Sequence, residues 1–173
     1  MSAAKSILLD SNIWLDYYLG HREHHKEAFQ LIEYTLSEGI ELLYAVTTLK
    51  DVFYLIDRES KRQLRSHLGR ELTNADAQSA QITAFACLSS MQDIATPVAL
   101  DVADTWLALK LKHVHTDFED DLIIAAAQRA GADYLVTNDK LLIAHAPLTA
   151  MSSADMLHHL QVCEQARQAL AAQ

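Results

Sequence analysis

Two cysteines, two prolines and four glycines in 173 residues exclude several kinds of protein at once. Cys87 and Cys163 lie far apart with no CxxC or knuckle spacing, so neither a disulfide framework nor structural zinc is indicated. They read as reduced, partly buried thiols. Scarce Gly and Pro argue against long disordered arms or linkers. No apolar run approaches the length of a membrane span, and the start, MSAAKSILLDSN, lacks the charged, apolar and cleavage-site pattern of a secretory signal. A soluble, cytoplasmic protein is expected. Basic residues are also in deficit: 14 Lys and Arg against 23 Asp and Glu give a net charge of −9. That balance disfavours tight nonspecific adhesion to nucleic acid.

Hydrophobic residues make up half of the chain, enough for the core of one compact domain over 1–173. Apolar runs predict strands at SILLD, IELLYAV, DIATPV and DYLVT, with a short last one near PLTAM. Helical spacing predicts helices starting near Asn12, over 23–37, and over LKDVFYLIDR behind a Thr47 or Thr48 cap. One or two more are expected in an extended helical segment at about 58–92, followed by ALDVADTWLALKLK, a helix to Ala130 closed by Gly131, and a last helix capped by Ser152 or Ser153. Strands alternating with helices give an α/β fold with a mainly parallel central sheet flanked by helices.

Carboxylates stand out against this frame. The stretch TDFEDDLIIAAAQRAGADYLVTND places Asp117, Glu119, Asp120 and Asp121 within five residues and Asp139 at its end. A helix start favours one or two acids through its free N–H groups and dipole, and for each of Asp117, Glu119 and Asp121 taken singly that is the favoured reading. Functional sites of parallel sheets gather beyond the carboxyl ends of the strands. There Asp10 ends the first strand, Asp51 follows the second, and Asp139 lies two residues past DYLVT. On a helical wheel Asp120 borders the apolar face beside Ile123 and Ala127, so it is expected to face the fold more than Asp121 does. Inward carboxylates repel one another unless a cation neutralises them. An oxygen-only donor set favours Mg²⁺ or Mn²⁺ over zinc, and such an ion suits phosphate-ester chemistry.

In this order, LLDSNIWLDYYL, TTLKDVFYLI, DFEDDLIIAAAQRAGADYLVTND and SSADML resemble PIN-domain ribonucleases, the family that includes VapC-type toxins of toxin-antitoxin pairs. The resemblance covers roughly residues 6–160, and its specific parts are the order of these segments and the 19-residue step from Asp120 to Asp139. It implies a Mg²⁺- or Mn²⁺-dependent endonuclease that cleaves single-stranded RNA by metal-activated water. Asp10, Asp51, Asp120 and Asp139 would be the catalytic acids, with Asp10, Asp120 and Asp139 holding metal. Asn12 and Thr137 would support the first and last acids, and Asp117 would be an additional member. A cognate antitoxin is the implied partner, and the oligomeric state is open, a homodimer included. Asp51 stands where the family usually has Glu, one methylene longer.

Other features admit two readings. Residues 58–70, RESKRQLRSHLGR, carry a local charge of +4, and Arg58, Arg62 and Arg65 at helical spacing form either an RNA track or a solvated face. HREHH and KHVH lack a matching acid or cysteine set and read as surface histidines. Trp14, Tyr17 and Tyr18 read as core or interface residues rather than as a stacking platform. Two further functions stay in view. One is a degenerate PIN-like module that binds RNA or protein without catalysis. The other is a haloacid-dehalogenase-like phosphatase using Asp10 as nucleophile, although that chemistry wants a second Asp where this chain has Asn12.

Overall fold

A computed structural model describes residues 4–111 and 117–171. Its elements run β1 (Ser6–Leu9), α1 (Ser11–Tyr18), α2 (His25–Ser37), β2 (Glu41–Ala45), α3 (Thr48–Leu68), α4 (Asn74–Ile94), β3 (Thr96–Val98), α5 (Val102–Leu111), α6 (Phe118–Ala130), β4 (Tyr134–Val136), α7 (Lys140–His145), β5 (Ala150–Met151) and α8 (Ser153–Ala171). The five strands form one parallel sheet in the order β3-β2-β1-β4-β5. Strand periodicity sorts the core into two layers. Ile7, Leu9, Leu42, Tyr44 and Val136 point to one face, where α1, α2, α3, α4 and α8 supply Trp14, Leu31, Ile56, Met91 and Leu160. Leu8, Leu43, Ala45 and Leu135 point to the other, against Ile123, Ile124, Ala126 and Ala127 of α6 and Leu142 of α7. Burial on both faces explains why the strands read as unbroken apolar runs.

The expected order of strands and helices is present, with three differences. The helix that opens at Thr48 does not stop at Arg58 but continues to Leu68, ending at Gly69 in the left-handed conformation (φ 61°). Its ion pairs carry it through the polar stretch: Lys61 Nζ lies 2.7 Å from Asp57, and Arg62 grips Glu59 through two nitrogens at 2.7 and 2.8 Å. Thr47 occupies the N-cap position without a side-chain capping bond, whereas Thr73 and Asp76 form a full capping box for α4. The short α7 was not expected, and Asp139 is its N-cap, accepting from the N–H groups of Leu141 (2.7 Å) and Leu142 (3.3 Å).

Asp121 requires a correction. It is 1% exposed, while Asp120 is half-buried, the reverse of the order expected from the wheel. The wheel assumed one apolar stripe. In the fold α6 is enclosed both by the sheet and by α5, so the side bearing Asp121, Ile124 and Ala125 is covered too. Arg129 of α6 ties the two helices together, with Nε 2.6 Å from the buried Asp104 and a second contact to Asp101. No described helix is long and apolar enough to cross a membrane. The KHVH stretch lies outside the described residues, whereas in HREHH His21 meets Glu59 at 3.2 Å and His25 Nδ1 meets the Asp16 carbonyl at 2.8 Å. Both cysteines are free and partly buried.

Candidate active site

Chain order makes β1 the switch point of the sheet: β2 and β3 build out on one side, and β4 and β5 on the other. A crevice beyond the carboxyl ends of β1 and β4 follows from that topology. It opens as a cleft of ≈ 380 Å³ lined by Asp10, Asn12, Lys50, Asp51, Asp117, Phe118, Glu119, Asp120, Leu122 and Asp139, among others. All four acids expected to be catalytic thus share one cavity, and Asp117 joins them. Asp117 also caps α6, accepting from the Glu119 N–H at 2.9 Å.

Asp10 is the most constrained of these acids. It is 4% exposed, and its carboxylate accepts four hydrogen bonds. Oδ1 takes the Ser11 N–H at 2.5 Å and the Ser11 hydroxyl at 3.1 Å. Oδ2 takes the Asn12 amide at 2.6 Å and the Thr137 hydroxyl at 2.7 Å. Thr137 Oγ1 in turn accepts from Asn12 Nδ2 at 2.8 Å and from the Asp139 N–H at 3.1 Å. One hydroxyl therefore links the loop after β4 to the acid after β1. Asn138 extends the lattice: its N–H donates to Asn12 Oδ1 at 3.1 Å, its amide to Asp16 at 2.8 Å, and its Oδ1 accepts from the Ser153 N–H and hydroxyl, both at 3.1 Å. Asp16, 2% exposed, is also held by Arg22 at 2.5 Å.

The electrostatics match the crowding. Burial pushes Asp120 up to about 7, with further upward pressure from the charges of Asp10, Asp117, Asp139 and Asp121. Asp10 is raised too, chiefly by burial, against the lowering effect of its bonds to Thr137 and Ser11. Among the described residues the cleft has one cationic lining residue, Lys50, whose Nζ lies 3.2 Å from Asp51 and 3.5 Å from Glu119. Among the described residues no three His, Cys, Asp or Glu side chains are already gathered into a metal site. The donor set still suits a hard cation: its donors are all oxygen, and their mutual repulsion is what a divalent ion would relieve.

The arginine strip lies outside this cleft, further along α3. Arg62 is paired with Glu59, Arg65 lies 3.9 Å from Glu71, and the Arg58 guanidinium stands 6.0 Å from the centre of the Tyr54 ring. Trp14 is fully buried and packs against Tyr17, Tyr18 and Tyr44, as expected of core aromatics. Sequence reasoning missed Ser11, Lys50, Phe118 and Asn138. Ser11 and Asn138 sit inside the quoted DSN and TND triplets, whose polar density was their only signal. For Lys50 the signal was its place beside Asp51.

The fold and the cleft together define a parallel α/β domain whose side chains converge on an acidic centre at the switch point. Residues 6–141 match the PIN domain, and the chain belongs to that family. Among solved structures it is similar to VapBC2 from Rickettsia felis bound to a promoter DNA fragment (14% identity, TM-score 0.59, 85% of this chain and 98% of that one). It also resembles VapC20 from Mycobacterium tuberculosis, a toxin that cleaves the sarcin-ricin loop (13%, 0.59, 80% and 93%). DNA-bound VapBC from Salmonella typhimurium is a third such likeness (17%, 0.57, 86% and 98%). A comparison with curated proteins finds no match.

Proposed function

We propose that this chain is a divalent-metal-dependent endoribonuclease acting on single-stranded RNA, the toxin of a toxin-antitoxin pair. The convergence of Asp10, Asp51, Asp120 and Asp139 on one cleft in a PIN domain carries the reading. Asp10, Asp120 and Asp139 would hold Mg²⁺ or Mn²⁺, with Asp51 completing the set. When bound, such an ion supplies an acidified water and charge stabilisation at the scissile phosphate. Asn12 and Thr137 fix the orientation of Asp10 through the short bonds to Oδ2. The Ser11 hydroxyl, with the longest of the four bonds to Asp10, is the donor that can turn away to free a lone pair. Asn12 donates to Asp10 at 2.6 Å and cannot serve as an acid/base partner, which disfavours a phosphatase using Asp10 as nucleophile.

The test is cleavage of single-stranded RNA in Mg²⁺ or Mn²⁺ and its loss in EDTA, read with two Asp51 variants. Asp51→Glu, restoring the family's commoner length, should stay within about tenfold of the parent, whereas Asp51→Ala should lose about a hundredfold. Equal rates in all three would remove Asp51 from the site, and no cleavage by the parent would leave the binding-module reading.

An inhibitory partner fits the same charge pattern. An Arg or Lys inserted into the cleft would neutralise its acids, and Phe118 and Leu122 in the cleft wall offer the stem of that side chain apolar contact. Co-expression with a cognate antitoxin should yield a complex without RNase activity, weakened by salt and by Asp120→Asn. A complex that stays fully nucleolytic would sink this mode of control.

A further inference from the structure

The cleft poses an electrostatic difficulty for any RNA that enters it. Six of its lining residues, Asp10, Asp51, Asp117, Glu119, Asp120 and Asp139, are acids, on a chain of net charge −9. A cation deep among the acids offsets part of this, but the strand must first pass the mouth. There the lining offers Lys50, with a side chain 74% exposed. Its two contacts, at 3.2 and 3.5 Å, are surface ion pairs of the kind that contribute little and break easily. Drawing Asp51 toward a metal would loosen the shorter one and free the ammonium. The strip on α3 offers no equivalent, since Arg58, Arg62 and Arg65 do not line the cleft.

The same cleft holds a second unexplained side chain. Phe118 occupies the first helical position of α6, where helix formation has no use for an aromatic ring, and it is 45% exposed. It lines the same cleft together with Leu122, one turn further on, so an apolar strip runs through an otherwise acidic wall. The next residue, Glu119, is the one that meets Lys50. An exposed ring and a flexible ammonium lining one cleft match a base and its phosphate.

We propose that Lys50 and Phe118 form a nucleotide subsite at the mouth of the cleft, Lys50 taking a backbone phosphate and Phe118 stacking on the adjoining base. The proposal rests on the reading of the cleft as an RNA-cleaving site. Its test is anisotropy binding of a fluorescent 12-nucleotide mixed-sequence RNA, and of the same strand with abasic positions, in Ca²⁺ over a range of salt. Gel electrophoresis checks that the strand stays whole. Lys50→Met should lower the slope of log Kd against log salt by about 0.7, the value of one single-strand phosphate contact, and Lys50→Arg should keep it. Lys26→Met removes the same charge from exposed α2 and should leave the slope alone. Phe118→Ala should raise Kd about five- to a hundredfold and erase the preference for the base-bearing strand, and Phe118→Trp should restore both. An unchanged slope in Lys50→Met, an equal change in Lys26→Met, a base preference that survives Phe118→Ala, or a parent that does not bind the strand would each overturn the subsite. A parallel cleavage assay in Mn²⁺ separates the two readings. Lys50-dependent binding without cleavage sinks the nuclease and keeps the subsite, and cleavage with a Lys50-independent slope does the opposite.

Discussion

Asp10→Asn and Asp120→Asn will both silence RNA cleavage and will move the melting temperature of the metal-free protein in opposite directions. Under the proposed function, loss of either carboxylate removes a metal-holding, charge-stabilising group, for which about a hundred- to a thousandfold drop in rate is expected, or ~3–4 kcal/mol. Stability parts them. Asp120 is raised to about 7 by burial and by four neighbouring acids, so an uncharged amide there relieves repulsion, and the variant should melt higher in EDTA. Asp10 is instead an acceptor for four donors, and the NH₂ of an asparagine would face either the Ser11 pair or the Asn12–Thr137 pair. A mismatch of that kind costs about 1–3 kcal/mol, some 2–4 °C per kcal/mol for a chain of this size. Calorimetric scans in EDTA decide it. Two variants that both melt higher would show that charge, not hydrogen bonding, governs Asp10, and near-parent cleavage by either would remove that residue from the catalytic set.

That opposition was not legible in the sequence, where Asp10 and Asp120 looked like equal members of one self-repelling cluster. Sequence order placed the acids because strand ends and helix starts are local features: SILLD ends in Asp10, and DYLVT is followed by Asn138 and Asp139. What Asp10 and Asp16 accept is set in part by residues more than 120 positions away, as in the bonds from Thr137 to Asp10 and from Asn138 to Asp16. Asp121 failed for a related reason. A wheel knows one buried face, and α6 has two because α5 closes over it. The long α3 was split in the sequence reading at its polar stretch, since its i,i+3 and i,i+4 ion pairs, not its apolar periodicity, carry it past Arg58. Fold class, strand order along the chain and the convergence of acids needed only local patterns and general topology rules. The hydrogen-bond lattice, the position of Lys50 and the exposed ring of Phe118 needed the packed structure.

Removing divalent metal will make stability fall as pH rises through neutrality, and restoring Mn²⁺ will reverse the trend. In EDTA the folded protein holds a proton on Asp120 up to about pH 7, whereas the unfolded chain releases it near the ordinary value of 3.8. Between those limits the native state binds more protons, so ∂ΔG/∂pH for unfolding is negative. The contribution is fully present below about pH 4 and is lost as pH passes 7. Solvent around half-exposed Asp120 screens the effect and keeps it small. A cation competes with that proton and gains most where the proton has left. At a hundred times its Kd, Mn²⁺ adds about 2.7 kcal/mol, or roughly 5–11 °C, and the gain should be larger at pH 7.5 than at pH 5.5. Asp120→Asn should flatten the EDTA curve and lose most of the Mn²⁺ shift. If that variant instead tracks the parent in both buffers, the repulsion and the metal both lie elsewhere, and Asp120 is only an acid in the first turn of a helix.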